Sequence, residues 1–218
     1  MIYLYAIAEA LDELPDVAGV AGAPLTRRNV DGLDVVVSVH VDSALEEVDE
    51  TVLAHARVVD ALMSRSTAVL PARFGHGFPD EQSLTETIRN RLSPLRKALD
   101  RVRGCVEIGL RVVAEETAQA PRLVDSGREY MDAAFARQWA VEALGSEIHE
   151  SLASLARAST HTIAATPRLV FSGAYLVELA NVEQFRGRVA ELAARHPQLA
   201  LASTGPWPPY SFAPNGSE

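Results

Sequence analysis

The chain has 218 residues, 48% hydrophobic and 22% charged, enough apolar material for one large domain or two small ones with real cores. Its 20 basic and 29 acidic residues leave a formal net charge of −9, which argues against broad attraction to nucleic acid or to an anionic membrane surface. The single Cys105 excludes an intramolecular disulfide framework and a cysteine zinc site built by one chain. With no basic leader ahead of Glu9 and no apolar run near the roughly 18 residues a bilayer requires, the sequence reads as soluble and intracellular.

In chain order, Ile2, Leu4 and Ala6 alternate with Tyr3, Tyr5 and Ile7, and because both sets are apolar this reads as a strand covered on two faces. A connection punctuated by Pro15, Gly19, Gly22 and Pro24 leads to Leu33–Val39, a second strand rich in β-branched residues. Asp42 or Ser43 is placed to cap a helix whose apolar stripe is Leu45, Val48, Val52, Ala56, Val59 and Leu62. A short strand at residues 68–70 runs into the loop Pro71-Ala72-Arg73-Phe74-Gly75-His76-Gly77-Phe78-Pro79. The next helix, from about Glu81, buries Leu84, Ile88, Leu92, Leu95 and Leu99, and Pro94 should kink or divide it. Gly104 closes it, and Val106, Ile108, Leu110 and Val112 then alternate with Glu107, Gly109 and Arg111 as in a strand with one wetter face.

Residues 115–125 lack apolar periodicity and contain Pro121, which places a boundary between an N-terminal α+β domain, 1–118, and a C-terminal domain, 119–218. Beyond it, Tyr130, Ala134, Val141, Leu144, Ile148, Leu152 and Leu155 mark one long helix over residues 127–157. Strands near 169–171 and at 174–179 follow, with Gly173 between them, then a helix with Val182, Phe185, Val189 and Leu192 inward, and a short strand at 199–201. The chain therefore reads as α+β in two domains. Gly205-Pro206-Trp207-Pro208-Pro209-Tyr210-Ser211-Phe212 follows, with three prolines and three aromatics in eight residues. Such a strip cannot continue a helix or lie in a central strand, and its aromatics gain by burial, so it should be docked on the chain's own core or on another protein.

Signatures of phosphate-binding loops, dinucleotide-binding turns, zinc-protease helices and nucleophile elbows are absent from the sequence. The six histidines (His40, His55, His76, His149, His161 and His196) lack metal-ligand spacing, and Glu46, Glu47, Asp49 and Glu50 read as a solvated helix face. Cys105 reads as a buried, inert thiol. No catalytic, cofactor-binding or metal residue is assigned. The 71–79 loop admits two readings: an anion cradle beside Arg73, or a turn that tucks Phe74 and Phe78 into the core and pairs Arg73 with a carboxylate. A small-molecule-binding module or enzyme would need Arg73, His76 and Tyr210 to converge on a pocket.

Five segments, in the same order along the chain, carry a family resemblance: Tyr3-Leu4-Tyr5-Ala6-Ile7, His55-Ala56-Arg57-Val58-Val59-Asp60-Ala61-Leu62, Leu70-Pro71-Ala72-Arg73-Phe74-Gly75, Ala174-Tyr175-Leu176-Val177 and the proline-aromatic tail. In these the sequence resembles the gas vesicle accessory proteins of the GvpL/GvpF family. The resemblance implies a non-enzymatic role without cofactors, and a C-terminal part built from a long helix and a modified ferredoxin-like layer. It implies an assembly factor or minor vesicle component, located in the cytoplasm and at gas vesicles. Its partners would be the hydrophobic shell protein and other gas vesicle accessory proteins, with neither nucleic acid nor membrane among them. Candidate partner contacts are a sheet edge of the first domain and Arg73, Phe74, Phe78, Trp207, Tyr210 and Phe212.

Overall fold

Tyr3, Tyr5, Ala6 and Ala8 all reach one buried cluster, a pattern that simple alternation cannot produce. The cause is a β-bulge between Leu4 and Ala6 in the first strand, β1 (Ile2–Glu9), which exchanges the faces expected of Ala6 and Ile7. The computed structural model in which this is seen describes residues 1–41, 46–114, 127–163 and 169–214. The expected cap at Asp42 or Ser43, Leu45, and the expected boundary at 115–125 lie outside the described residues. The fold is α+β, and contacts divide it into two compact units, Met1–Val106 with Trp207–Glu218, and Glu107–Pro206.

In the first unit, β1 pairs with β3 (Leu33–Val39), β4 (Ala68–Pro71) and the two-residue β5 (Gly77–Phe78), and β2 (Thr26–Val30) pairs with β3, every pair antiparallel. The order β2-β3-β1-β4 puts β1 inside the sheet, buried up to Glu9, as its two apolar faces require. Strand β2 is not visible in the hydrophobic pattern. It is joined to β3 by Asp31-Gly32, both at positive φ (49° and 88°), the backbone that a tight two-residue hairpin turn demands.

Helix α1 (Asp49–Met63) packs Val58, Val59 and Leu62 on one sheet face against Tyr3, Tyr5, Val36 and Val69. Its inward stripe is His55, Val58, Val59 and Leu62 rather than Val48, Val52, Ala56, Val59 and Leu62, and Val48, Val52 and Leu53 are 47%, 36% and 54% exposed. The expected stripe errs because it is drawn through apolar side chains alone and so leaves out His55. On the other sheet face lie α2 (Glu81–Asn90) and α3 (Leu92–Val102), burying Leu84, Ile88, Leu95 and Leu99. The helix is divided at Arg91, so Pro94 falls in the first turn of α3, where an amide N–H has no intrahelical partner to lose. Asp80 caps α2 by accepting the Ser83 N–H at 2.7 Å.

The second unit runs β6 (Cys105–Ala114), α4 (Gly127–Ala153), β7 (Ala158–Ile163), β8 (Leu169–Glu178), α5 (Val182–Arg195) and β9 (Leu199–Trp207). This βαββαβ chain with sheet order β7-β8-β6-β9 is a ferredoxin-like arrangement. Val106, Ile108, Leu110 and Val112 of β6 are buried as their alternation predicts, but the strand joins the second sheet rather than closing the first. For that reason the first unit's N-terminal part ends at Val106. Strand β9 extends beyond 199–201 through Pro206, which an edge strand tolerates. The chain thus returns to the first unit, and the tail from Trp207 belongs there.

In α4, Ile148 and Leu152 are fully buried, whereas the side chains of Tyr130, Ala134 and Val141 lie outside the described residues. In α5, Val182, Phe185, Val189 and Leu192 are buried as expected. Helix α4 ends at Ala153, short of the expected residue 157, and strand β7 occupies Ala158–Ile163, a stretch to which the sequence pattern assigns no element. Strand β8 is continuous through Gly173, which is a spacer and not a break: a Cβ there would come within 2.9 Å of the Phe171 ring and 3.0 Å of Tyr175. No helix among the described residues is long and apolar enough to cross a membrane.

Candidate partner-binding site

A buried polar chain underlies the loop after β4. The ring of His55, 3% exposed, has Nε2 3.0 Å from the Ala72 carbonyl oxygen and Nδ1 2.9 Å from the Tyr3 hydroxyl. A carbonyl only accepts, so Nε2 carries the proton, the Tyr3 O–H donates to Nδ1, and the Tyr3 oxygen accepts the Gly75 N–H at 3.2 Å. Both ring nitrogens are satisfied, which is what allows an imidazole to lie in the core. A second chain runs from the Val20 N–H to the Tyr5 hydroxyl (2.8 Å), then to Ser38 Oγ (2.8 Å) and His40 Nε2 (2.7 Å).

These bonds fix the Arg73-Phe74-Gly75-His76 turn. The His76 N–H donates to the Arg73 carbonyl at 3.3 Å, and Gly75 sits at φ 81°, the positive φ of a type II turn's third residue. Phe74 packs edge-on to Tyr3 and His55 with ring centroids 6.0 Å apart in each case, and Phe78 is buried with His76 stacked on it at 5.1 Å. Phe74 and Phe78 are therefore tucked inward, as the turn reading expects. Arg73 departs from that reading: it is exposed, and its guanidinium makes no ion pair or hydrogen bond among the described residues.

The tail closes over the same region. Pro208, Pro209 and Phe212 are buried, Tyr210 is half-buried against the Tyr3–Tyr5 cluster, and a single 3₁₀ turn at Tyr210–Phe212 ends it. Trp207 is the exception, 50% exposed, because it ends the edge strand β9 before the chain turns inward. Of the six candidate contacts, Arg73 and Trp207 thus present themselves to solvent, whereas Phe74, Phe78, Tyr210 and Phe212 hold loop and tail in place. Loop and tail meet at a depression of about 200 Å³ lined by Arg73, Phe74, Gly75, His76, Tyr210 and Pro214. Arg73, His76 and Tyr210 do converge, but this volume is small beside the roughly 300–1,000 Å³ usual for small-molecule sites. Among the described residues no group of three His, Cys, Asp or Glu side chains is arranged to hold a metal ion. Sequence reasoning missed Tyr3 and His55 as the supports of the loop; the one available signal was a histidine spaced three, four and seven residues from Val58, Val59 and Leu62.

The buried groups set a pH range. Burial holds His55 below the ordinary imidazole value, opposed by its bond to Ala72. In the second unit burial and then the charge of His161, whose ring lies 3.8 Å away, do the same to His149. The unfolded chain takes up these protons near pH ~6.5 and the folded chain only at lower pH, so stability is complete above ~6.5 and is lost as the pH falls toward the folded values. Burial pushes Tyr3 up to about 12 and also raises Tyr5, Tyr175 and Tyr210, so stability is also lost as the pH rises above about 10. Denaturant melts across pH should show a plateau between these limits with a decline on both sides; a flat profile on the acid side would contradict the neutral, doubly bonded state of His55.

The fold and this loop-and-tail closure define a class: an α+β protein with a ferredoxin-like second unit whose tail completes the first. Over residues 1–214 the chain matches the family described as gas vesicle synthesis protein GvpL/GvpF. It is 31% identical over 217 residues to gas vesicle protein F2 of Halobacterium salinarum, covering 97% of this chain and 91% of that protein. It is 32% identical over 247 residues to gas vesicle protein L of a Streptomyces species, covering 97% and 92%. The crystal structure of gas vesicle protein GvpF from Anabaena sp. PCC7120 superposes with a TM-score of 0.82 at 19% identity, covering 98% of this chain and 96% of that one. The chain belongs to the GvpL/GvpF family of gas vesicle proteins.

Proposed function

We propose that this protein is a non-enzymatic assembly factor that binds the hydrophobic gas vesicle shell protein and covers its apolar surface until the subunit joins the growing wall. Family membership supports a gas vesicle accessory role. The observation that carries the finer reading is the apolar surface at the start of α1, where Val48, Val52 and Leu53 are exposed. Beside them Val17, 36% exposed, shares with Glu50, Thr51, Ala54 and Arg57 a cleft of about 610 Å³. Exposed apolar side chains on a body of net charge −9 suit a carrier that takes up sticky surface and stays in solution. As an edge strand of the first sheet, β2 offers backbone pairing as a second contact. In this reading the protein works in the cytoplasm and at the vesicle, with other accessory proteins as further partners and without cofactor or nucleic acid. The double substitution Val52→Asp with Leu53→Asp, both exposed, should leave the melting transition unchanged and lower recovery of co-expressed shell protein in a pull-down by about tenfold, the order expected for loss of an apolar hot spot. Undiminished recovery would remove the α1 face from the proposal.

A further inference from the structure

We propose that the surface around the docked tail binds an acidic segment of a partner protein. Three adjoining depressions share Ala213 and Pro214 as a common wall. The widest, about 520 Å³, runs between the tail and one face of α3, where Pro94, Lys97, Ala98 and Arg101 follow one another at helical spacing. The others bring in Arg73, His76 and Arg91. Four cationic side chains therefore ring the tail, and no carboxylate stands among the described lining residues, although acidic residues outnumber basic ones by 29 to 20 in the chain.

Elsewhere on this unit Arg28, Arg65, Arg89 and Arg103 are each held by a carboxylate, from Glu81, Glu13, Asp31 and Glu9 respectively. The side chains of Arg73 and Lys97, by contrast, are exposed and make no ion pair or hydrogen bond among the described residues. An exposed cation has no need of a partner, but these two, set on apolar walls of proline, alanine and phenylalanine, form a surface complementary to alternating carboxylates and apolar side chains. A free anion would leave the apolar walls unused. A nucleic acid or an anionic membrane would meet the field of a chain with net charge −9 beyond this ring. These depressions share no residue with the cleft beside α1, so the inference stands or falls apart from the shielding of shell protein.

The test uses the full chain and a fluorescein-labelled peptide of alternating glutamate and leucine, read by anisotropy at low and high salt. The expected result is saturable binding, weakened by salt, and weakened about tenfold or more by Arg73→Glu with Lys97→Glu. The milder Arg73→Gln with Lys97→Gln should give an intermediate loss, and Arg186→Glu in the second unit should give none. Absence of saturable binding would overturn the proposal, as would affinity indifferent to the glutamate variants or equal binding of a lysine-leucine peptide. Displacement by inorganic phosphate at ionic strengths where sodium chloride has no effect would reduce the site to one for free anions and overturn it too.

Discussion

His55→Ala is expected to destabilise the first unit by about 3–5 kcal/mol and to lower its melting midpoint by about 10 °C. The size follows from what the ring does. Its removal opens a cavity beside Tyr5, on which it stacks at 5.5 Å, and beside Phe74. It also strips partners from the buried Tyr3 hydroxyl and the Ala72 carbonyl, each costing about 1–3 kcal/mol when left unmade. Tyr3→Phe, which keeps the ring and deletes only the oxygen, should cost less, about 1–3 kcal/mol. In both variants the Gly75 amide, which donates to the Tyr3 oxygen in the native protein, should exchange faster with solvent. A His55→Ala midpoint within a degree or two of the parent would mean that the loop is held by something other than this chain of bonds.

The tail supplies the second large effect. Phe212 is 6% exposed and its ring lines the groove along α3, so Phe212→Ala should cost about 3–4 kcal/mol. Trp207→Ala removes a larger ring but a half-exposed one, and should cost less than about 1 kcal/mol. Thermal melts of the pair test whether docking begins at Pro208 rather than at the tryptophan. The reverse ranking would place Trp207 under cover and contradict the path of the tail.

Where the apolar pattern obeyed one period, the sequence was readable. Strand β6 and helix α5 bury the residues their spacing picks out, and β1 is covered on both faces. The failures share a physical cause. Strands β2 (Thr-Arg-Arg-Asn-Val) and β7 (Ala-Ser-Thr-His-Thr-Ile) lie at sheet edges, where solvent relaxes the demand for apolar alternation. The bulge in β1 was invisible because every residue around it is apolar. His55 was left out of the inward stripe since residue type alone cannot show that both its nitrogens find partners. The loop and tail stood out by their prolines and aromatics, but their meeting depends on β9 carrying the chain back to the first unit. That is a property of topology that no local window contains. Nothing in the local sequence singles out Lys97 and Arg101, which gain a neighbour only where the tail lies beside α3.

The family places this chain among proteins of gas vesicle synthesis, and the proposed mechanism turns on one event, the capture of shell protein before it aggregates. Co-expression of the intact chain with the shell protein, followed by separation of soluble and insoluble fractions and affinity recovery in moderate salt, measures that event directly. The account predicts shell protein in the soluble fraction, recovered together with this chain; shell protein left wholly insoluble, with nothing recovered alongside, would contradict it.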